Sequence, residues 1–206
     1  MNEPGVLSEV LFGIIQQRRS IRRYQDRPIP DDVLVRLLEA ARWAPSAHNR
    51  QPWRIAMLQS AESRHRLAVA MGERLAEDLR ADGVAEEAIA RDVERSYRRI
   101  TGSAAVVVLC MTMADMDIYP DASRQLAERQ MAIQSVAMAG QNLLLAAAAH
   151  GLGACWMCAP LFCPDVVRAV LQLDDDWEPQ ALITLGYPAE QPQKTRADLE
   201  TRVVWR

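Results

Sequence analysis

Apolar residues recur along this chain at two spacings, one helical and one strand-like, and their alternation predicts the order of elements. Near the start, Val10, Leu11, Ile14 and Ile15 form a helical stripe, with Ser8 placed to cap it and the first arginines in its last turn. Pro28 and Pro30 break the chain, and Asp31 begins a second helix with Leu34, Leu37, Leu38 and Ala41 on one face. APSAHNRQP is a loop by composition, and WRIAMLQ, Trp53 to Gln59, leaves it as a strand. Residues 60–82 and 85–100 read as two charged amphipathic helices divided at Asp82-Gly83.

AAVVVLCMT, Ala104 to Thr112, is apolar and rich in β-branched residues, the pattern of a strand buried on both faces. Residues 122–150 read as one long helix whose second half is apolar on nearly every side, which places it in a core or under a subunit interface. Gly151 ends it, GACWMC adds a short strand, Pro164 opens a further helix, and QALITLGYP is a strand closed by Gly186 and Pro188. The polar tail from about 188 to 206 ends in Val203, Val204 and Trp205, which need burial that a partner chain could supply. With no repeat, low-complexity tract or linker, residues 1–206 read as a single domain.

Composition narrows the class. At 206 residues and 50% hydrophobic, the chain can bury one good core but not two. Its 24 basic and 27 acidic residues exclude the broad basic face of a nucleic-acid binder. MNEPGVLSEV lacks a secretory pattern, and VAMAGQNLLLAAAA, interrupted by Gln141 and Asn142, is too short to span a bilayer. A cytoplasmic protein with no membrane segment is expected. Cys155 and Cys158 have the spacing of a dithiol or half a zinc site, with Cys163 close behind. No second pair completes a metal site, so these and Cys110 are expected to be buried small hydrophobes and no metal is expected.

Against this weak overall charge, RRSIRRYQDR places five arginines in ten positions. A solvated helix end, a nucleic-acid patch and a phosphate socket are all open. Arg18, Arg19 and Arg22 surround Ser20, a set that can grip phosphate through forked guanidiniums and one hydroxyl, and Lys194-Thr-Arg196 is a second basic element that could close the grip. No glycine-rich nucleotide fingerprint is present, so side chains would do the holding. Among the histidines, His48 stands out because its loop also carries Ser46, Asn49, Arg50 and Gln51.

Taken in order, Arg18-Arg19-Ser20-Ile21-Arg22, the stretch Ala44 to Trp53, the strand Ala104 to Cys110, Leu185-Gly-Tyr-Pro and Lys194-Thr-Arg196 resemble the FMN-dependent nitroreductase family over nearly the whole chain. The resemblance implies an α+β fold with a mixed or antiparallel central sheet flanked by helices, and a homodimer with FMN sites at the interface. Arg18, Arg19, Ser20 and Arg22 would contact phosphate, ribityl chain and flavin edge, and Lys194 and Arg196 would complete the phosphate grip. Pro45, Ser46, Ala47 and Asn49 would come from the other subunit. Met157, Cys158 and Ala159 would set backbone against the flavin ring, and Arg99 would lie near its pyrimidine end. Within the family, APSAHNRQPWR and Glu73 to Arg99 look similar to the C-terminal reductase domain of the ligase that builds a deazaflavin cofactor. Another branch breaks down its own flavin to make the lower ligand of cobalamin, but has an aspartate where Ser20 stands. The implied function is an oxidoreductase in which NAD(P)H or another hydride donor reduces FMN, which then reduces a small conjugated, quinone or nitro-substituted acceptor. His48 is the candidate proton donor. The alternative is an FMN-binding carrier without turnover.

Overall fold

The computed structural model describes residues 4–206; the first three residues of the MNEPGVLSEV stretch lie outside them. The apolar run at 104–112 supplies the strand around which the rest is arranged. The chain runs α1 (Pro4–Gln17), α2 (Asp31–Arg42), β1 (Trp53–Leu58), α3 (Ala61–Ala81), α4 (Glu86–Thr101), β2 (Ala105–Met111), α5 (Ala122–Ala149), β3 (Gly153–Met157), α6 (Pro164–Leu171) and β4 (Glu178–Gly186). Short 3-10 turns fall at Ala47–Asn49, Ala159–Phe162 and Leu199–Thr201. The four strands form an antiparallel sheet in the order β1-β2-β4-β3, so the expectation of a mixed or antiparallel sheet resolves to the second.

Every residue of β2 is buried, because helices cover both faces of the sheet. Period-two alternation divides its side chains between two cores. Val107, Leu109 and Met111 meet α2 and α5 on one side, while Val106, Val108 and Cys110 meet α3, α4 and α6 on the other. In α2 the predicted face packs inward through Leu34, Leu37 and Ala41. α5 buries Ala132, Val136, Ala139 and Leu143, whose mostly small side chains fit a helix lying close to a sheet. By length and mean hydropathy this helix could cross a membrane, contrary to the expectation drawn from its apolar run alone, but its inner face is sealed against the sheet. It ends with Gly151 N–H on the Ala148 carbonyl and Leu152 N–H on that of Ala147, the pairing that satisfies a helix's last acceptors.

Two expectations for α1 are corrected. The helix begins by Pro4, so Ser8 lies inside it and caps nothing; it ends at Gln17, so Arg18 is the first residue past it. The helix leaves Val6, Leu7, Val10, Leu11, Phe12 and Ile15 exposed, and the tail leaves Val204 and Trp205 exposed. A single chain does not bury them.

Arg64, in the first turn of α3, is buried and joins that helix to the entrance of β2. Its Nη1 donates to the Gln59 carbonyl and, at 3.0 Å, to that of Ala104, while burial pulls its pKa down. Arg64→Ala leaves two shielded carbonyls short of a donor and is expected to lower unfolding stability by about 2–3 kcal/mol in urea titration. A loss within about 0.5 kcal/mol, the range of ordinary surface changes, would mean that water replaces the guanidinium freely.

Candidate functional site

The arginine run leaves α1 as an extended segment and docks on the open edge of β3. Arg18 N–H still reaches the Ile14 carbonyl at 2.9 Å; three residues later Ile21 N–H donates to the Ala154 carbonyl at 3.0 Å, and Ser20 bridges Ala154 in parallel fashion. Farther on, Tyr24 bridges Pro188, Gln25 N–H donates to the Tyr187 carbonyl at 2.8 Å, and Ala189 N–H to that of Arg23 at 3.0 Å. The segment therefore ties the sheet edge to the chain leaving β4.

Two glycines make this approach possible. A Cβ on Gly153 would lie 2.7 Å from Ile21, and one on Gly186 would lie 2.8 Å from the Tyr24 ring. Ile21 is buried, and the Tyr24 hydroxyl reaches the Ile21 carbonyl at 2.5 Å and Thr184 Oγ1 at 2.7 Å. Burial pushes the Tyr24 phenol well above its usual pKa, so it stays a neutral strut. Ile21 and Tyr24 anchor the segment, and Arg22 and Arg23 between them are exposed.

Two clefts flank the segment. One, of about 520 Å³, is lined by Gln17, Arg18, Arg19 and Ile21 with residues 151–154 and the start of the tail. The other, of about 710 Å³, is lined by Arg22, Arg23 and Arg99 with further arginines of α4. Glu190 and Pro192 belong to both. Glu190 Oε1 accepts the Arg22 backbone N–H at 2.6 Å, which fixes the tail where the clefts meet.

The electrostatics answer the question raised by the second basic element. Burial, then Arg196, then Arg19 depress the pKa of the Arg18 guanidinium, so cations from the two ends of the chain converge. Among the described residues, none of Arg18, Arg19, Arg22, Arg99 and Arg196 forms an ion pair. Burial raises the Cys155 thiol pKa, Arg22, Arg99 and Arg18 pull it down and the Glu190 carboxylate pushes it up, so these charges act on one buried sulfur. A group of cations whose carboxylate neighbour, Glu190, is engaged by the Arg22 backbone amide is suited to an anion.

Other expected site residues lie apart from this cluster in the single chain. Lys194 is exposed in the extended tail. Pro45, Ser46, Ala47 and Asn49 line neither cleft. Their loop is held by Ala47 N–H donating to Ser135 Oγ at 3.3 Å and Gln51 N–H donating to Ser46 Oγ at 3.0 Å, with Arg50 paired to Asp117. His48, Asn49 and Gln51, on either side of a right-handed Arg50, have φ of 49°, 54° and 52°, left-handed conformations that ordinary residues adopt at a cost and that concentrate at functional sites. His48 itself is exposed. Met157 closes β3 and packs into the α3–α6 core; Cys158 and Ala159 open the following turn. Cys158 is exposed, correcting the expectation of a buried thiol, because its Sγ accepts Trp156 Nε1–H at 3.0 Å at the surface. All four cysteines are free, and the described residues hold no cluster suited to a metal.

The sequence reading missed Glu190 and the α4 arginines other than Arg99. Glu190 has no local signature, since its partner is 168 residues away. Arg91, Arg95 and Arg98 do follow helical spacing, which marks a common face but not what the face meets.

Comparison with known proteins identifies the family and the fold. The profile of the nitroreductase family matches residues 15–187. A protein of Thermus thermophilus named NADH dehydrogenase is 35% identical over 198 residues, covering 92% of this chain and 93% of its own. A 5,6-dimethylbenzimidazole synthase of Rhodospirillum rubrum is 27% identical over 198 residues, covering 93% of this chain and 90% of its own. A Desulfovibrio desulfuricans structure in complex with FMN superposes with a TM-score of 0.74 at 24% identity, covering 100% of this chain and 98% of its own.

The glycine contact makes a direct test of how tightly the arginine segment is seated. Gly153→Ala forces Ile21 away from the β3 edge and is expected to cost about 1–3 kcal/mol, an overpacking penalty visible as a lower thermal midpoint. An unchanged midpoint would mean that the segment shifts without resistance.

Proposed function

The chain belongs to the nitroreductase family, and on that premise we propose that this oxidoreductase works with FMN, accepting hydride from NAD(P)H and passing it to a small conjugated, quinone or nitro-substituted acceptor. The observation that carries the reading is the convergence of Arg18, Arg19 and Arg196 without a carboxylate partner. A phosphate monoester supplies the missing negative charge, and its oxygens match the guanidinium fork.

The residues fit FMN by their chemistry. Arg18, Arg19 and Arg196, with Lys194, would hold the phosphate, and the Ser20 hydroxyl would serve the ribityl chain. Arg22 and Arg99, which line one cleft and both act on Cys155, would face the pyrimidine end. A cation there favours the negative charge of a reduced flavin. Backbone at Met157, Cys158 and Ala159 would border the ring. When bound, FMN supplies the two-electron chemistry, so the protein's task is to bind, orient and exclude water.

The loop Pro45, Ser46, Ala47 and Asn49 would complete the site from a second subunit. The apolar face of α1 and the exposed Trp205 support a homodimer, with the tail from about 188 to 206 wrapping the partner. In such a dimer His48 would be the proton donor to the acceptor, and residues 1–206 would act as one domain. The flavin-degrading branch is disfavoured because Ser20 stands where that branch has an aspartate.

The purified protein is expected to show a flavin spectrum and to release FMN on heat denaturation. Reduction by NAD(P)H followed by rapid reoxidation with a quinone or nitroaromatic marks the oxidoreductase; a flavin reduced only by dithionite would instead mark a carrier. Arg22→Ala and Arg196→Ala should each weaken FMN binding about tenfold or more with the dimer intact, since charged hydrogen bonds contribute roughly 1.5–3 kcal/mol each. Unchanged affinity in both would remove these residues from the site. His48→Ala should alter the pH profile of acceptor reduction, and an identical profile would end its role as proton donor.

A further inference from the structure

The second cleft holds more positive charge than a flavin edge uses. Six arginines line it, Arg22, Arg23, Arg91, Arg95, Arg98 and Arg99, against Glu94 and Glu190. Four of the six lie on α4, where Arg91, Arg95 and Arg98 recur at helical spacing and so share one face. The acidic partners are weak holders. Arg98 pairs with Glu94 and Arg95 with Asp92, both within the same exposed helix, and Arg23 approaches Glu190 only to 4.0 Å. Exposed pairs of this kind contribute little, so an arriving ligand displaces them at small cost. Arg91 forms no ion pair among the described residues.

Set in a chain of formal net charge −3, this is a local reversal of sign, and a cleft lined by one sign concentrates counter-charged ligands. Its volume of about 710 Å³ falls in the range of small-molecule sites, and its mouth is open to solvent. Of the six, Arg22 and Arg99 are the two whose charge acts on the buried Cys155 thiol, and Arg99 is half-buried. The other four remain for a second molecule.

We propose that Arg91 and Arg95 form, with Arg23, a subsite for a terminal phosphate on the hydride donor, and that the enzyme therefore prefers NADPH to NADH. The two donors differ only by the 2′-phosphate, a group that forked guanidiniums match in shape and charge. This rests on the reading that FMN lies against Arg22 and Arg99 in the same cleft.

The test has two arms. Steady-state kinetics compare the NADPH-to-NADH ratio of kcat/KM in the wild type, in Arg91→Ala/Arg95→Ala and in Arg91→Lys/Arg95→Lys. Calorimetry compares binding of 2′,5′-ADP and 5′-AMP to the same three purified proteins, with circular dichroism checking their folding. The wild type is expected to favour NADPH and 2′,5′-ADP by about tenfold or more, the size of one strong charge-assisted contact. That preference should fall with added salt, vanish in the alanine variant and be weakened but retained in the lysine variant, which keeps the charge and loses the fork. Equal affinity for the two nucleotides in the wild type, or a preference that the alanine variant keeps, would overturn the proposal. A protein that releases no FMN would sink the oxidoreductase reading, while the calorimetric comparison would still decide the phosphate subsite.

Discussion

The structure turns on how an extended, arginine-rich segment is held against the edge of β3. An unpaired sheet edge normally has to be covered or blunted. Here Ser20 and Ile21 pair with Ala154 on that edge, residues 23–25 bond to the chain leaving β4, and the anchors Ile21 and Tyr24 fit where glycines leave room. Because backbone groups and anchors do the holding, Arg18, Arg19 and Arg22 are spared from forming ion pairs of their own. An edge that could have been a liability becomes the frame of a cationic site.

The two cores give that frame its stiffness. α5 lies against one face of the sheet through small side chains, while α3, α4 and α6 close the other. The two faces bear on the site differently. Through Ser135, α5 steadies the Ser46–Gln51 loop, and α4 delivers arginines to the second cleft. Arg64 links α3 to the start of β2, so the helical hairpin that carries this charge is fastened to the central strand.

What could be read from the sequence followed from local chemistry. The strands at 105–111 and 178–186, the Pro164 helix and the inner face of α2 were legible because period and punctuation are local properties. The limits of α1 were not. Ser8 is a good cap in isolation, but Pro4 serves as well at a helix start, and nothing near Arg18 announces that the chain must leave the helix to meet Ala154. Likewise, Arg18 and Lys194-Thr-Arg196 could be proposed as partners, yet their meeting depends on the tail turning back across the segment, which rests on Glu190 and the Arg22 amide. Long-range pairings of this kind leave no local trace.

The distribution of ion pairs separates structural arginines from functional ones. Arg54 pairs with Asp115, Arg74 with Asp165 and Arg129 with Glu178, each joining parts of the chain distant in sequence. These cations are neutralised within the fold and stay so whatever binds. Burial and the neighbouring Arg196 instead lower the basicity of Arg18, while neither cation forms an ion pair among the described residues. Such an arrangement costs the free protein stability, and the cost is recovered when an anion enters, so the ligand's charge contributes to binding and to folding through the same contacts. The one carboxylate placed at the junction, Glu190, bonds to the Arg22 backbone amide and forms no ion pair with the Arg22 guanidinium, which donates to the Ser20 carbonyl at 3.3 Å. It steadies the site without occupying the charge that the site is built to offer.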